Sequence, residues 1–73
     1  MSLAFYLISE LGSLRQALTL IEANQHGIIF TTDCSGAVVG VATDGDIRRR
    51  LLAGGTLDDR IESCANPDFV WAD

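Results

Sequence analysis

At 73 residues, 48% of them apolar, the chain has the size and composition of one small globular domain rather than a disordered segment. Ten acidic residues face five basic ones, all arginine, and the net charge of −5 excludes the surplus positive charge on which non-specific nucleic-acid binding depends. No apolar run approaches the ~20 residues of a membrane span, and the start lacks the positive region of a signal peptide.

A core of this size is marginal, because domains below roughly 70–80 residues usually need disulfides, a metal or a partner chain. Only Cys34 and Cys64 are present, and neither has metal-site spacing. The expectation is reduced thiols, a cytoplasmic protein and stability completed by association. Met1-Ser2-Leu3 has the character of an expression remnant.

Phe5-Tyr6-Leu7-Ile8 reads as a short strand or as the entry of the chain into a sheet. Ser13 and Gln16 form an S-x-x-Q capping box that opens a helix. Leu14, Ala17, Leu18 and Ile21 give that helix an apolar face at i, i+3, i+4 and i+7, and Asn24 to Gly27 stop it. Residues 27–32 read as a strand whose continuous Ile28-Ile29-Phe30 run suits burial on both faces. Asp33-Cys34-Ser35-Gly36 is a turn, and residues 37–42 form the next strand, antiparallel to the last. Gly40 within it predicts a bulge or a close backbone approach.

A second helix is predicted from about Asp46 to Ala53, with Ile47 and Leu51 on one face and Gly54-Gly55 ending it. Thr56 and Asp59 make another possible capping box, with Leu57 and Ile61 at i, i+4 in a helical turn or two. Asn66-Pro67 breaks the chain before Phe69-Val70-Trp71, a short strand similar in character to Phe5-Tyr6-Leu7, where a second copy of the unit would begin.

The chemistry concentrates at Thr43-Asp44-Gly45-Asp46, between a strand and a helix. Thr43 or Asp44 can cap the helix, which is an ordinary use of such residues. In the functional reading Thr43 and Asp46 face a cleft. An ionised Asp accepts hydrogen bonds from a vicinal diol such as ribose, and a Thr hydroxyl donates to a phosphate or sugar oxygen. The two carboxylates already draw on the field of the helix N-terminus, so a phosphate needs arginine. Arg48, Arg49 and Arg50 are the candidates, spread over about 200° of helix so that they cannot all serve one ligand. Asp44-Gly45-Asp46 also has the form of a cation-holding D-x-D, but no third carboxylate or histidine lies near it in sequence. His26 has no nucleophile to serve, Ser35 lies outside any strained elbow, and no P-loop is present, so no catalytic residue is assigned.

G-x-x-T-x-x-D, here Gly40, Thr43 and Asp46, closing a strand and opening a helix, resembles the signature of CBS domains. Ser13-Leu14-Arg15-Gln16-Ala17-Leu18 resembles the start of their first helix, Asp33 to Gly36 their hairpin and Asn66-Pro67 their exit segment. Cys64-Ala65 departs from the family, where a Met often precedes the Asn. The string from Thr43 to Arg49, with Leu57-Asp58-Asp59 after it, is similar to CBS domains attached to sugar-phosphate nucleotidyltransferases, and sugar-phosphate isomerases carry a close variant.

The resemblance spans residues 5–71. It implies an α/β (α+β) unit, β-α-β-β-α, whose small sheet is packed by two helices and which pairs with a second unit, either another chain or a missing tandem copy. It implies no catalysis and no required cofactor. The expected regulatory ligands are AMP, ADP, ATP or S-adenosylmethionine, bound between paired copies to control an attached enzyme domain. Carried onto this chain, Thr43 and Asp46 contact ribose or phosphate, Ile28 and Ile29 lie near the base, and Arg48 and Arg49 are candidates for phosphate. The alternatives are a ligand-free pairing module and, last, an enzyme using Asp44 and Asp46 around a metal.

Overall fold

A computed structural model describes residues 3–67. The strands β1 (Leu7–Ser9), β2 (Ile28–Thr32) and β3 (Val38–Thr43) form one sheet in the order β1-β2-β3. The first pair is parallel and the second antiparallel. A parallel pair needs a long crossover, and α1 (Leu14–Asn24) supplies it. The second helix, α2 (Asp44–Leu52), follows β3 without a loop. The predicted α+β order, β-α-β-β-α, is the observed one.

Both helices pack on one face of the sheet. Ile8, Ile29 and Ala42 rise from the three strands to meet Leu14, Ala17 and Ile21 of α1 and Ile47 of α2, and Ile61 closes this cluster from a 3₁₀ turn at Ile61–Ser63. Strand alternation puts the row Leu7–Phe30–Val41 on the opposite face, with Ile28 beside Thr43 in the same ladder. Among the described residues no helix packs on that second face, and its apolar side chains are half-buried.

The α1 capping box forms as predicted: Ser13 Oγ accepts the Gln16 N–H at 3.1 Å, and Gln16 Oε1 accepts the Ser13 N–H at 3.0 Å. Asn24, predicted only as a stop, does more. Its buried amide donates to the carbonyls of Phe5 and Ile28 at 2.9 and 3.1 Å, and its Oδ1 accepts the His26 N–H at 2.8 Å. That side chain ties the N-terminal segment to the entry of β2. Phe5 and Tyr6 lie in a 3₁₀ turn (Leu3–Tyr6), so the N-terminal run enters the sheet only at Leu7. The Tyr6 and His26 rings stack at 5.6 Å, and the Tyr6 hydroxyl bonds His26 Nδ1.

Gly40 has both features that its place in the strand predicts. The ladder slips between Thr31 and Thr32, and a Cβ at Gly40 would stand 2.8 Å from Thr31 Oγ1 and 3.4 Å from the Asn66 carbonyl. Thr31 is itself buried, so it has little room to yield. Gly40→Ala is expected to destabilise the domain by about 1–3 kcal/mol, the scale of overpacking. A thermal-unfolding midpoint equal to that of the wild type would contradict this close approach.

Two expectations are corrected. The second helix begins at Asp44, two residues before the predicted start, because Thr43 is its N-cap. Residues 56–60 form a turn and not an α-helix, and Ile61 opens the short 3₁₀ turn instead. Thr56 and Asp59 do bond, Thr56 N–H donating to Asp59 Oδ2 at 3.1 Å, but the carbonyls of Leu57 and Asp59 accept the N–H groups of Arg15 and Leu14. Acceptors committed to the start of α1 cannot propagate a second helix. Asn66 exchanges both backbone hydrogen bonds with Val41, at 2.7 and 3.0 Å, along the outer edge of β3. The strand predicted at Phe69-Val70-Trp71 lies outside the described residues.

Two carboxylates link this scaffold to pH. The Ser35 hydroxyl and backbone N–H groups of the hairpin turn hold Asp33 below the usual carboxylate range. The Thr56 N–H does the same for Asp59 against some desolvation, helped by Arg50. A depressed folded value means stability that is present above the unfolded-chain value and lost as pH falls through the folded one. The unfolding midpoint is therefore expected to hold from neutrality down to about pH 4 and to drop below it. Asp59→Asn should flatten that acid limb, and an unchanged limb would remove Asp59 from the account.

Candidate functional site

The sheet delivers Thr43 and Ile28 to the same point. They are Cα partners across the β2–β3 ladder, on the face away from the helices. The Asp44 N–H donates to the Gly27 carbonyl at 2.9 Å, pinning the start of α2 against the start of β2. Thr43 then caps α2 through a reciprocal box. Its Oγ1 accepts the Asp46 N–H at 3.2 Å, and Asp46 Oδ2 accepts the Thr43 N–H at 3.0 Å.

This capping leaves binding capacity unspent. The Thr43 hydroxyl acts in the box only as an acceptor, so its own proton remains to be donated. A carboxylate offers about four lone-pair sites, and the box takes one from Asp46. Thr43 is exposed and Asp46 partly so. A cap and a ligand contact are thus compatible in the same two side chains.

Asp44 does not cap. It occupies the first helical position and pairs with Arg48 at 3.2 Å, four residues on. Arg49 pairs with Asp46 Oδ1 at 3.4 Å, three residues on. Arg50 turns away to Asp59 at 3.2 Å, while Arg15 and Arg60 pair with Asp58 and Glu62. Ion pairs this exposed are worth little, typically 0–1 kcal/mol, so an anionic ligand can recruit their arginines at small cost. Among the described residues no cluster of three metal-ligating side chains exists, which leaves Asp44-Gly45-Asp46 without the third donor a cation site needs.

The structure therefore brings Thr43, Asp46, Ile28 and Arg49 to one corner. Arg48 stands on the same helix turn but is engaged with Asp44. The Ile29 side chain is fully buried in the core on the opposite face of the sheet, so only the backbone of Ile29 is near the corner.

One wall was not legible in the sequence. A shallow, solvent-open cavity of about 250 Å³ adjoins Asp46, lined by Arg49 and Arg50 of α2, by Ala53 just after it, and by Ser63 and Cys64 at the end of the 3₁₀ turn. Burial raises the Cys64 thiol above its usual range, and nearby Asp46 adds to this while Arg50 opposes it. No local signal places Ser63 and Cys64 beside α2; long-range contacts through Ile61 do. A larger open groove of about 480 Å³ runs between β1 and α1, with Arg15 its one charged lining residue, and shares no residue with the Thr43 corner. Both thiols are free, and no helix among the described residues is long and apolar enough to cross a membrane.

No protein-family model matches the chain, and no curated protein matches it. Solved structures do. A CBS-domain-containing protein of Agrobacterium tumefaciens superposes with a TM-score of 0.81 at 21% identity, over 89% of this chain and 50% of its own. An uncharacterised conserved protein of Pyrococcus horikoshii gives 0.84 at 25% identity, over 99% of this chain and 55% of its own. A CBS domain protein of Pyrobaculum aerophilum, complexed with AMP, gives 0.78 at 24% identity, over 84% and 48%. The chain spans about half the length of these solved chains. Its three-stranded sheet with two helices on one face is the fold of the CBS-domain proteins it resembles.

Proposed function

We propose that residues 5–71 are a single CBS unit that pairs with a second unit and senses an adenine nucleotide. The role is regulatory and not catalytic. The observation that carries this reading is the corner itself: an N-cap hydroxyl beside Ile28 on the face away from the helices, and the N3 carboxylate boxed with it, each with unspent hydrogen-bonding capacity. A structurally similar protein complexed with AMP supports the choice of ligand class. Asp46 accepts from the ribose diol, Thr43 donates to ribose or phosphate, Ile28 flanks the base, and Arg49, with Arg48 behind it, meets the phosphate. Ile29 contributes through its backbone. The second face of the sheet, with its Leu7–Phe30–Val41 row, meets the paired unit, another chain or a tandem copy, and completes the cleft.

In this reading the unit works in the cytoplasm and controls an attached enzyme domain. The string from Thr43 to Arg49 and Leu57-Asp58-Asp59 favour a sugar-phosphate nucleotidyltransferase as that enzyme. Ligand shifts the balance between arrangements of the pair by binding one of them better. Isothermal titration of the paired chain with AMP, ADP, ATP and S-adenosylmethionine should give saturable heat with at least one. A folded, paired sample that gives none would leave the ligand-free pairing module, which the apolar second face also suits.

A further inference from the structure

In the free chain one oxygen of the ribose acceptor is already taken. Asp46 Oδ1 accepts from Arg49 Nη1 at 3.4 Å, while Oδ2 serves the cap. Asp46, Arg49, Arg50 and Ala53 follow one another at i, i+3, i+4 and i+7, so they form a single stripe along α2 and its C-cap. That stripe is one wall of the 250 Å³ cavity, and Ser63 and Cys64 are the other. Of the arginines, Arg15, Arg48 and Arg60 line no part of it, and Arg50 is held by Asp59. The Arg49 side chain is 79% exposed, and its pairing with Asp46 is long for a charged hydrogen bond. Arg49, already part of that lining, is thus the guanidinium that can leave Asp46 for an anion and free an oxygen of the carboxylate.

We propose that Arg49 makes this site selective for phosphorylated ligands. The phosphate of a nucleotide draws the guanidinium off Asp46 toward the Ser63 side of the hollow that both residues line, and the ribose takes the oxygen so released. This rests on the nucleotide-sensing reading and adds to it the reason for discriminating nucleotide from nucleoside. A nucleoside carries no anion to move Arg49 and must compete with it for Oδ1. A nucleotide exchanges one solvent-screened ion pair for a bond between a guanidinium and a more highly charged phosphate, and gains an unobstructed acceptor.

The test compares AMP with adenosine on the 73-residue chain by titration calorimetry. The wild type should prefer AMP by roughly tenfold or more, the scale of one charge-assisted hydrogen bond. Arg49→Ala should erase that preference from both sides, with AMP binding more weakly and adenosine more tightly. Ser63→Ala should weaken AMP alone. Cys64 gives an independent readout: in a Cys34→Ser background AMP should slow alkylation of Cys64, and adenosine should not. A preference for AMP unchanged by Arg49→Ala, or Cys64 alkylation indifferent to bound AMP, overturns the inference and leaves nucleotide sensing intact. Failure of the wild type to bind either compound overturns both.

Discussion

Asp46→Asn is expected to weaken AMP binding by at least tenfold while leaving the fold in place. Hydrogen bonds to a charged group are worth about 1.5–3 kcal/mol each, and the substitution removes the charge and one of the two acceptor oxygens. It keeps one carbonyl oxygen, which can still accept the Thr43 N–H and preserve the box now made at 3.0 Å. Asp46→Ala differs in kind. It loses both the ligand contact and the reciprocal cap, so it should also lower stability by about 1 kcal/mol. Thr43→Ala likewise loses both, removing the other half of the box and the hydroxyl proposed to donate to the ligand. Titration and thermal unfolding measured on all three variants separate the two jobs of the corner. If Asp46→Asn binds AMP as the wild type does, the carboxylate is a cap and nothing more.

The dual use of Thr43 and Asp46 explains why the sequence is ambiguous there. A T-x-x-D spacing predicts a capping box, and the structure contains one, so the local signal is wholly accounted for by folding. The same spacing, applied strictly, also places the start of the helix at Asp44. The apolar run before Thr43 and the Asp44-Gly45 pair instead suggest a turn there, which moves the predicted start to Asp46. Only the surroundings make the corner a candidate site: Ile28 opposite in the ladder, the Gly27 carbonyl holding Asp44, and the open second face.

Local patterns and long-range ones differ sharply in legibility. The Ser13–Gln16 box, the hairpin at Asp33 to Gly36 and the bulge at Gly40 depend on neighbours within a few residues or on the missing Cβ, and each is predictable. Asn24 reads as a helix stop, yet its amide bridges Phe5 and Ile28, 19 residues back and four ahead. Thr56 and Asp59 carry the same signal as Ser13 and Gln16, but with a different outcome. At Ser13 the following carbonyls are free to build a helix. After Thr56 they are occupied by the first N–H groups of α1, so one segment closes the start of another element instead of making its own. The cavity wall at Ser63 and Cys64 belongs to this second class.

Ile47→Ala should bring the free domain close to unfolding and make its stability depend on ligand. Ile47 is fully buried, one residue from Asp46, and joins α2 to the cluster built by all three strands and α1. Truncating such a side chain costs about 2–5 kcal/mol. At roughly 0.05–0.15 kcal/mol per residue a domain of this length has only about 4–11 kcal/mol in total. A ligand that binds only the folded state at a hundred times its dissociation constant returns ~2.7 kcal/mol. Far-UV circular dichroism should therefore show Ile47→Ala losing structure well below the wild-type midpoint and regaining a large part of the shift in saturating AMP. The double variant Ile47→Ala with Asp46→Asn should gain little at the same AMP concentration. Equal rescue of both would mean that AMP stabilises the chain at some place other than the Asp46 corner. Rescue by protein concentration alone, without nucleotide, would assign the missing stability to pairing across the Leu7–Phe30–Val41 face, because association, unlike a saturated ligand site, strengthens as the chain itself becomes more abundant.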